Sequence, residues 1–462
     1  MNVHDSDRME EVLRAHGWAR VPTSAEADVI VLNTCSVREK AEQKLRSEVG
    51  RLVPLKRNKP DLVIVVAGCV AQQEGEALLA RVEDLDLIIG PDNLAELPAL
   101  LLAQRQGAPP LARTVFDVDA PRFLSARPEP GKAPVSAFVT TMKGCDERCS
   151  FCVVPYTRGP ERYRPAADIV EECVRWVEAG AREVMLLGQT VDSFKDPTLP
   201  APESDDPDES QFPHLLRAIA ARVPGLVRLR YTSPHPRHAT ASLARAHAEL
   251  DVLAHHIHMP VQSGSDRMLK RMIRRYKRAE YIERVSRLRS ARSDMTLSTD
   301  VIVGFPGETD EDFEATLSLV REVGFTSLFG FKFSPRPLTP ALKLIDDVPE
   351  QLKSERLAHL FELSESQTQA HLLTLVGNVE EVLVEGASER AQGRFEGRTC
   401  RNEIVHIEGA EDLDLVGRLV TVDVARANRH SVAGTLTAEA RRHAPRRALE
   451  ANRPVRVLPV IL

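Results

Sequence analysis

Six short apolar runs, each followed by a helical pattern, occupy the middle of the chain and limit what it can fold into. They lie at residues 138–142, 184–187, 227–231, 257–260, 297–303 and 328–333. The stretches between them have helical periodicity. Ile169, Val170, Cys173, Val174 and Val177 fall on one face, and Thr309 stands as N-cap before Phe313, Leu317 and Val320. Strands alternating with helices build an α/β layer structure. Six steps are too few to close an eight-fold barrel, so residues 135–371 are expected to form an open, partial (β/α)6 barrel.

The flanks differ from this middle. Residues 1–106 read as a small parallel α/β domain, with buried strands at 28–32, 62–67 and 85–89 and helices at 37–52 and 73–82. Residues 107–134 hold six prolines (109, 110, 121, 128, 130 and 134) and read as a linker. Five acids at 203–209, with Pro207 among them, suggest an exposed insertion loop. Residues 374–437 change character. Short alternating runs at 379–384, 394–398, 403–406 and 419–425, separated by Gly and Asn, predict a small all-β barrel. The tail, 438–462, has six Arg and two Glu and reads as loosely ordered.

A length of 462 residues allows about three domains. Charge excludes a histone-like binder: 61 basic residues against 67 acidic give −6, so any nucleic-acid surface must be local. Eleven Lys/Arg against two acids at 267–292 are such a surface, with Arg271, Arg274, Arg275 and Lys277 placed for phosphate contacts. The competing reading is a solvated helix face. No run approaches the ~18 apolar residues of a membrane span. The first eleven residues carry four acids and no apolar core of a signal peptide. A cytoplasmic location is expected.

Chemistry concentrates in the cysteines, seven in all. Cys145, Cys149 and Cys152 form C-x3-C-x2-C directly after the first strand of the middle block. A structural zinc site takes four ligands, and no fourth Cys or His lies nearby. Three thiolates suit a four-iron cluster that keeps one iron open. Zinc with a remote fourth ligand, or three core cysteines, are the alternatives. Cys35 and Cys69 each end a strand of the first block. Neighbouring parallel strands deliver such ends to one crevice, so the two can share a site; otherwise they are small buried hydrophobes. Cys173 reads as core and Cys400 as structural. His256 and His258 share a strand face and could ligate metal, but no matching downstream His and Asp set is evident. Gln189 and Gln262 end strands, where a polar side chain faces the barrel mouth or caps a helix. Gly304, Pro306 and Gly307 make a loop that lets backbone approach a ligand, or an ordinary turn.

The cysteine triplet, with Phe151 before its third member, resembles the radical S-adenosylmethionine enzymes. The segments 153–159, 186–189, 258–266, 300–309 and 334–340 look like the methylthiotransferase branch of that family, in the right order over nearly the whole chain. The resemblance implies that Cys145, Cys149 and Cys152 carry a 4Fe-4S cluster that reduces S-adenosylmethionine to a deoxyadenosyl radical. Phe151 would pack near the cofactor's adenine, and Gln189, Gln262 and Gly304 would line its site. It also implies a second, auxiliary 4Fe-4S cluster held by three cysteines, of which Cys35 and Cys69 match two. The third normally sits in a Gly-Cys-Gln-Met-Asn segment. The chain begins Met1-Asn2-Val3-His4-Asp5-Ser6, so a start truncated by that cysteine and a preceding strand is expected.

The third block resembles the TRAM module, which implies RNA contacts at Arg398, Asn402 and Arg429, with Arg426 and Asn428 beside them. The family reading is a tRNA methylthiotransferase. It would convert N6-isopentenyl (dimethylallyl) adenosine at position 37, beside the anticodon, to its 2-methylthio form, as a monomer supplied by a low-potential electron donor. Two sister reactions compete: methylthiolation of threonylcarbamoyladenosine in tRNA, and of a ribosomal-protein aspartate. A non-catalytic zinc and RNA binding protein is the reading from a different class.

Overall fold

The structure, a computed structural model, describes residues 2–35, 41–82, 84–388 and 394–446. The first four residues of the helix expected at 37–52, and the tail from 447 on, lie outside the described residues. Among the described residues no helix is long and apolar enough to cross a membrane.

The N-terminal unit opens with the helix Asn2–Ala15. Its parallel sheet runs β1 (Val29–Thr34), β2 (Val63–Gly68), β3 (Leu87–Ile89) and β4 (Leu111–Arg113), in that spatial order. Strand period decides the packing. Ile64 and Val66 of β2 join Leu45, Val49 and Leu78 on one face. Val63, Val65 and Ala67 join Met9, Leu97 and Leu101 on the other. A strand buried on both faces explains the unbroken apolar run. Two expectations are corrected here. The helix expected at 73–82 is two short helices, Cys69–Glu74 and Glu76–Arg81, broken at Gly75. The linker reading of 107–134 fails at its start, because Leu111 pairs with Leu87 and adds a strand to the sheet. Further on, the Ala126 N–H donates to the buried Glu172 carboxylate at 3.0 Å. The segment is a strap against the barrel, and its prolines limit rather than prevent pairing.

The middle block holds β5 (Ser136–Thr140), a short antiparallel pair β6 (Met142–Lys143) and β7 (Arg162–Tyr163), then β8 (Glu183–Leu187), β9 (Arg228–Tyr231), β10 (His256–His258), β11 (Thr296–Val303) and β12 (Ser327–Lys332). Two parallel sheets, β5-β8-β9 and β10-β11-β12, are joined by a bridge between Leu229 and Leu253. All six apolar runs are strands of a partial barrel. Val139, Val184, Leu186, Leu229, Ile257, Leu297 and Val301 face the helices in one core. Alternation turns Glu183, Arg228, Arg230, His256, His258, Asp300 and Phe329 towards the lumen. The acidic loop at 203–209 is pinned rather than free: Glu203 pairs with Arg217 and Arg245, and Asp208 with Arg237 and Arg284.

A long helix, Glu350–Thr374, leads into a closed barrel. Its strands are β13 (Val379–Ala387), β14 (Phe395–Arg398), β15 (Ile404–Glu408), β16 (Leu419–Ala427) and β17 (Val432–Leu436), closed in the order β13-β14-β15-β17-β16. Val382, Val384, Val405, Ile407, Val422 and Val424 fill it. The tail begins with a helix, Ala438–His443, so its loose-order reading is corrected for those residues.

The turn 399–402 seats on the N-terminal ends of β9, β10 and β11. Arg228 Nη1 donates to Arg398 O at 3.1 Å and Arg230 Nη2 to Thr399 O at 2.8 Å. The His255 N–H donates to Cys400 O at 3.0 Å, and Thr296 Oγ1 to Arg401 O at 2.8 Å. Because Arg228 and Arg230 face the lumen, the turn closes the lumen's lower end. Behind it, His371 Nε2 lies 2.7 Å from Glu403 Oε1, and Arg401 Nε donates to the same oxygen at 3.0 Å.

Candidate functional site

The three cysteines lie on one loop at the upper end of the partial barrel, after β5 and β6. Gly144 opens the loop at φ +76°, and a Cβ there would sit 1.9 Å from Pro160 O, so only glycine fits. The far side of the loop is held by the opposite wall. The Ser150 N–H donates to Met272 O at 2.9 Å, Ser150 Oγ to Arg271 O at 2.9 Å, and the Ala341 N–H to Ser150 O at 2.8 Å.

The sulfurs have specific neighbours. Cys145 Sγ is 2.9 Å from Thr190 Oγ1, just past the end of β8. Arg274 Nη1 donates to Cys149 Sγ at 3.4 Å. Burial pushes the Cys152 thiol up to about 12, and the neighbouring Cys149 adds to the rise. Burial also raises the Cys145 thiol, with Cys152 contributing. The raised Cys145 and Cys152 thiols need a cationic centre to become thiolates, which is the condition an iron–sulfur cluster meets. The donor set therefore fits a cluster. Phe151 packs against the apolar group of Met268, Met272, Phe305, Phe333 and Ala341.

The other cofactor candidates divide. Gln189 lies two residues past β8, beside Thr190, and its Oε1 is buried with no hydrogen-bond partner among the described residues. An orphaned acceptor one residue from the Cys145 contact fits a ligand's donor. Gln262 is held at φ +73°, with its N–H donating to Asp300 O at 2.9 Å and its carbonyl accepting from the Ile302 N–H at 3.0 Å. Gly304 has a reason within the protein. Its N–H donates to Glu308 Oε2 at 2.7 Å, and the stem of Lys353 lies against its α-carbon.

Cys35 and Cys69 directly follow Thr34 and Gly68, which are paired in the β1–β2 register. The two cysteines therefore stand side by side at one sheet end. Arg158, six residues beyond Cys152, is buried and donates to Asp5 Oδ2 at 2.5 Å, and Asp5 and Cys69 favour its charge. The N-terminal pair and the barrel triplet thus face a common junction. That junction is reinforced by Arg162 pairing with Asp92 and by its 2.5 Å contact with Asp117.

Of the RNA candidates, Arg275 and Lys277 are exposed. Arg271 is exposed too, but its Nε donates to Pro306 O at 3.0 Å. Arg274 is corrected: it is buried, bonding Pro260 O at 2.8 Å and Tyr276 Oη at 3.0 Å besides Cys149. Arg398 and Asn402 are also corrected. Arg398, the last residue of β14, reaches Glu385 at 3.3 Å and Asn402 O at 3.4 Å, and Asn402 belongs to the turn on the barrel floor. Arg429 is exposed and paired twice with Glu365, at 2.6 and 2.9 Å. His256 and His258 do share a face, where both meet Ser298 Oγ, at 3.0 and 2.8 Å. Sequence reasoning missed Thr190, and missed Asp192, whose carboxyl burial pushes up to about 7.

Comparison with known proteins covers the same three regions. Residues 1–90 match the uncharacterized protein family UPF0004, residues 139–320 the radical SAM superfamily, and residues 373–437 the TRAM domain. A tRNA-2-methylthio-N(6)-dimethylallyladenosine synthase of Sorangium cellulosum is 61% identical, over all of this chain and 97% of that protein. Proteins of the same name from Acidithiobacillus ferrooxidans (44% identical, 94% of each chain) and Chromohalobacter salexigens (41%, 96% of this chain and 97% of that one) are also similar.

Proposed function

Because the chain belongs to the radical S-adenosylmethionine methylthiotransferase family, we propose that it methylthiolates N6-dimethylallyladenosine at position 37 of tRNA. It is an enzyme of that family's type, which uses a 4Fe-4S cluster and S-adenosylmethionine. Its TRAM domain goes with an RNA substrate. The observation that carries the reading is the trio of cysteines on one loop at the mouth of a six-stranded partial barrel, where burial raises the Cys145 and Cys152 thiols. In a chain 61% identical to a synthase of this name, that trio has the donor set the chemistry requires.

Cys145, Cys149 and Cys152 hold the cluster, and Cys35 and Cys69 contribute to an auxiliary one. When bound, these groups and the cofactor supply a radical able to abstract an inert aromatic hydrogen, and the sulfur that replaces it. The remaining work belongs to the protein's side chains. Thr190 fixes the Cys145 sulfur. Arg274 sets a buried positive charge beside Cys149. Phe151, backed by Phe305 and Phe333, keeps water from one side of the loop, and Gln189 offers its free acceptor to the cofactor. Gln262 and Gly304 shape the loops that border the cofactor. The target base must leave its stack to reach the mouth, which an anticodon loop allows at a cost of a few kcal/mol. Arg271, Arg275 and Lys277, on the same side as the cysteine loop, serve the RNA backbone, with Arg429 on the small barrel. The enzyme acts as a cytoplasmic monomer fed by a low-potential electron donor.

The test uses anaerobically reconstituted protein. Cys149→Ala should abolish deoxyadenosine formation, since two thiolates hold a four-iron cluster poorly. Wild-type cleavage of S-adenosylmethionine by that variant would overturn the assignment. Nucleoside analysis of tRNA bearing dimethylallyl- or threonylcarbamoyl-adenosine identifies the substrate. Methylthiolation of the second but not the first would replace the proposed substrate.

A further inference from the structure

His255, Asp294 and Cys400 meet where the turn 399–402 seats on the floor of the partial barrel. His255 Nδ1 is 2.7 Å from Asp294 Oδ2 and 3.6 Å from Cys400 Sγ. One donor atom from each residue lies within 4.8 Å of the other two. His255 and Asp294 belong to the radical SAM barrel, and Cys400 to the C-terminal barrel.

The backbone holds this arrangement from both sides. The His255 N–H donates to Cys400 O at 3.0 Å, and His255 O accepts from the Thr296 N–H at 2.9 Å. Thr296 Oγ1 then reaches Arg401 O at 2.8 Å. Both domains are tied within one or two residues of each donor, so the donors converge without large rearrangement.

An acid–histidine–cysteine relay is the competing reading, and the geometry argues against it. A relay uses the two ring nitrogens in turn, one for the acid and one for the nucleophile. Here carboxylate and thiol both address Nδ1. One nitrogen cannot donate to the first and accept from the second at the same time. Nitrogen, oxygen and sulfur aimed at one point suit a metal ion. For tetrahedral zinc, Zn–N and Zn–S bonds of about 2.0 and 2.3 Å place N and S about 3.5 Å apart, close to the 3.6 Å found. The N···O contact would open by about 0.7 Å to its tetrahedral value. Asp294 is exposed and has room for that shift.

We propose that His255, Asp294 and Cys400 form a zinc site, with water as fourth ligand on the solvent side, that clips the C-terminal barrel to the floor of the radical SAM barrel. The donor set is borderline-soft, as zinc prefers. Burial pushes the Cys400 thiol up, with Asp294 and Glu403 adding to the rise and Arg228 and Arg401 opposing it, so the thiolate forms only with the metal bond. The Cys400 proton leaves to solvent as the Zn–S bond forms, so binding releases one proton per ion from the thiol.

The experiment uses full-length holoprotein with its iron–sulfur clusters assembled, so that the cluster cysteines are engaged. Zinc is titrated against a competing chelator, and bound zinc and iron are measured together. The expected result is one zinc per chain, with one sulfur neighbour at about 2.3 Å in the zinc X-ray absorption spectrum. Even partners outside the coordination sphere are worth about 10–100-fold in metal affinity. Cys400→Ser and His255→Asn should therefore each weaken binding at least about tenfold, with iron content unchanged. Asp294→Asn should weaken it measurably. No zinc on the wild-type holoprotein, or equal zinc on Cys400→Ser and His255→Asn, overturns the site. Unchanged affinity in Asp294→Asn overturns the three-ligand assignment.

Discussion

Replacing Gly304 by alanine should destabilise the radical SAM barrel without a primary effect on cofactor affinity. Gly304 has φ +68°, and a Cβ there would sit 2.3 Å from Lys353 Cγ, 3.0 Å from its Cδ and 3.2 Å from its Cβ. The obstacle is the root of a buried side chain, not its free end. Lys353 is 3% exposed, and its Nζ donates to both Asp346 oxygens at 2.7 Å. Forcing an L-residue into the left-handed region costs about 1–2 kcal/mol, and overpacking a filled site about 1–3 kcal/mol more. The sum is roughly 2–5 kcal/mol. A double-mutant cycle separates the two parts. In a Lys353→Ala background the stem beyond Cβ is gone, so Gly304→Ala should cost only the backbone share, about 1–2 kcal/mol. The coupling energy is then about 1–3 kcal/mol. Urea unfolding followed by circular dichroism measures all four proteins. Strict additivity would refute the packing argument. A stable Gly304→Ala protein with weakened S-adenosylmethionine binding in both backgrounds would show instead that the glycine serves the cofactor.

Two other perturbations address the C-terminal barrel and the RNA surface. Burial opposes ionisation of Glu403, but His371, Arg401 and Thr399 outweigh it and hold the carboxyl down at about 2, against an ordinary 4.5. A depressed carboxyl contributes stability that is complete above pH 4.5 and disappears as pH falls towards 2, here about 3 kcal/mol. Glu403→Gln should therefore lose stability at pH 6 yet converge on wild type near pH 2; a gap of constant size across an acid titration would contradict this. On the RNA side, Arg275→Ala with Lys277→Ala should lower tRNA affinity and flatten the log–log salt dependence by about 1.5, two phosphate contacts' worth. Arg398→Ala should leave that slope unchanged, and a flatter slope in this variant would return Arg398 to the RNA surface.

What could be seen in advance followed from local period. Each of the six runs of the partial barrel buries one face against helices, so apolar spacing alone marks it. The cysteine triplet was equally visible, because its ligands lie within eight residues on one loop. What stayed hidden depends on which segments meet. Arg274 sits inside a dense basic run and looks like its neighbours, yet the left-handed turn at Ile273 (φ +56°) directs it inward to Cys149. Thr190 is unremarkable until β8 brings it to Cys145. Arg398 and Asn402 have the composition of an RNA contact, but their turn is occupied by Arg228 and the barrel floor. Leu111–Arg113 pairs as an edge strand within a proline-rich segment, where composition argues against any strand. In each case a long-range partner outweighs local preference.

The turn that Arg228 and Arg230 grip from inside the lumen makes the partial barrel a cup rather than a tube. In a tube, reactants could arrive at one end while spent fragments drained from the other. A cup with this floor leaves the upper mouth and the unpaired side between β5 and β12 as the ways in and out. A small molecule seated below a large one therefore has the turn beneath it, gripped by Arg228 and Arg230.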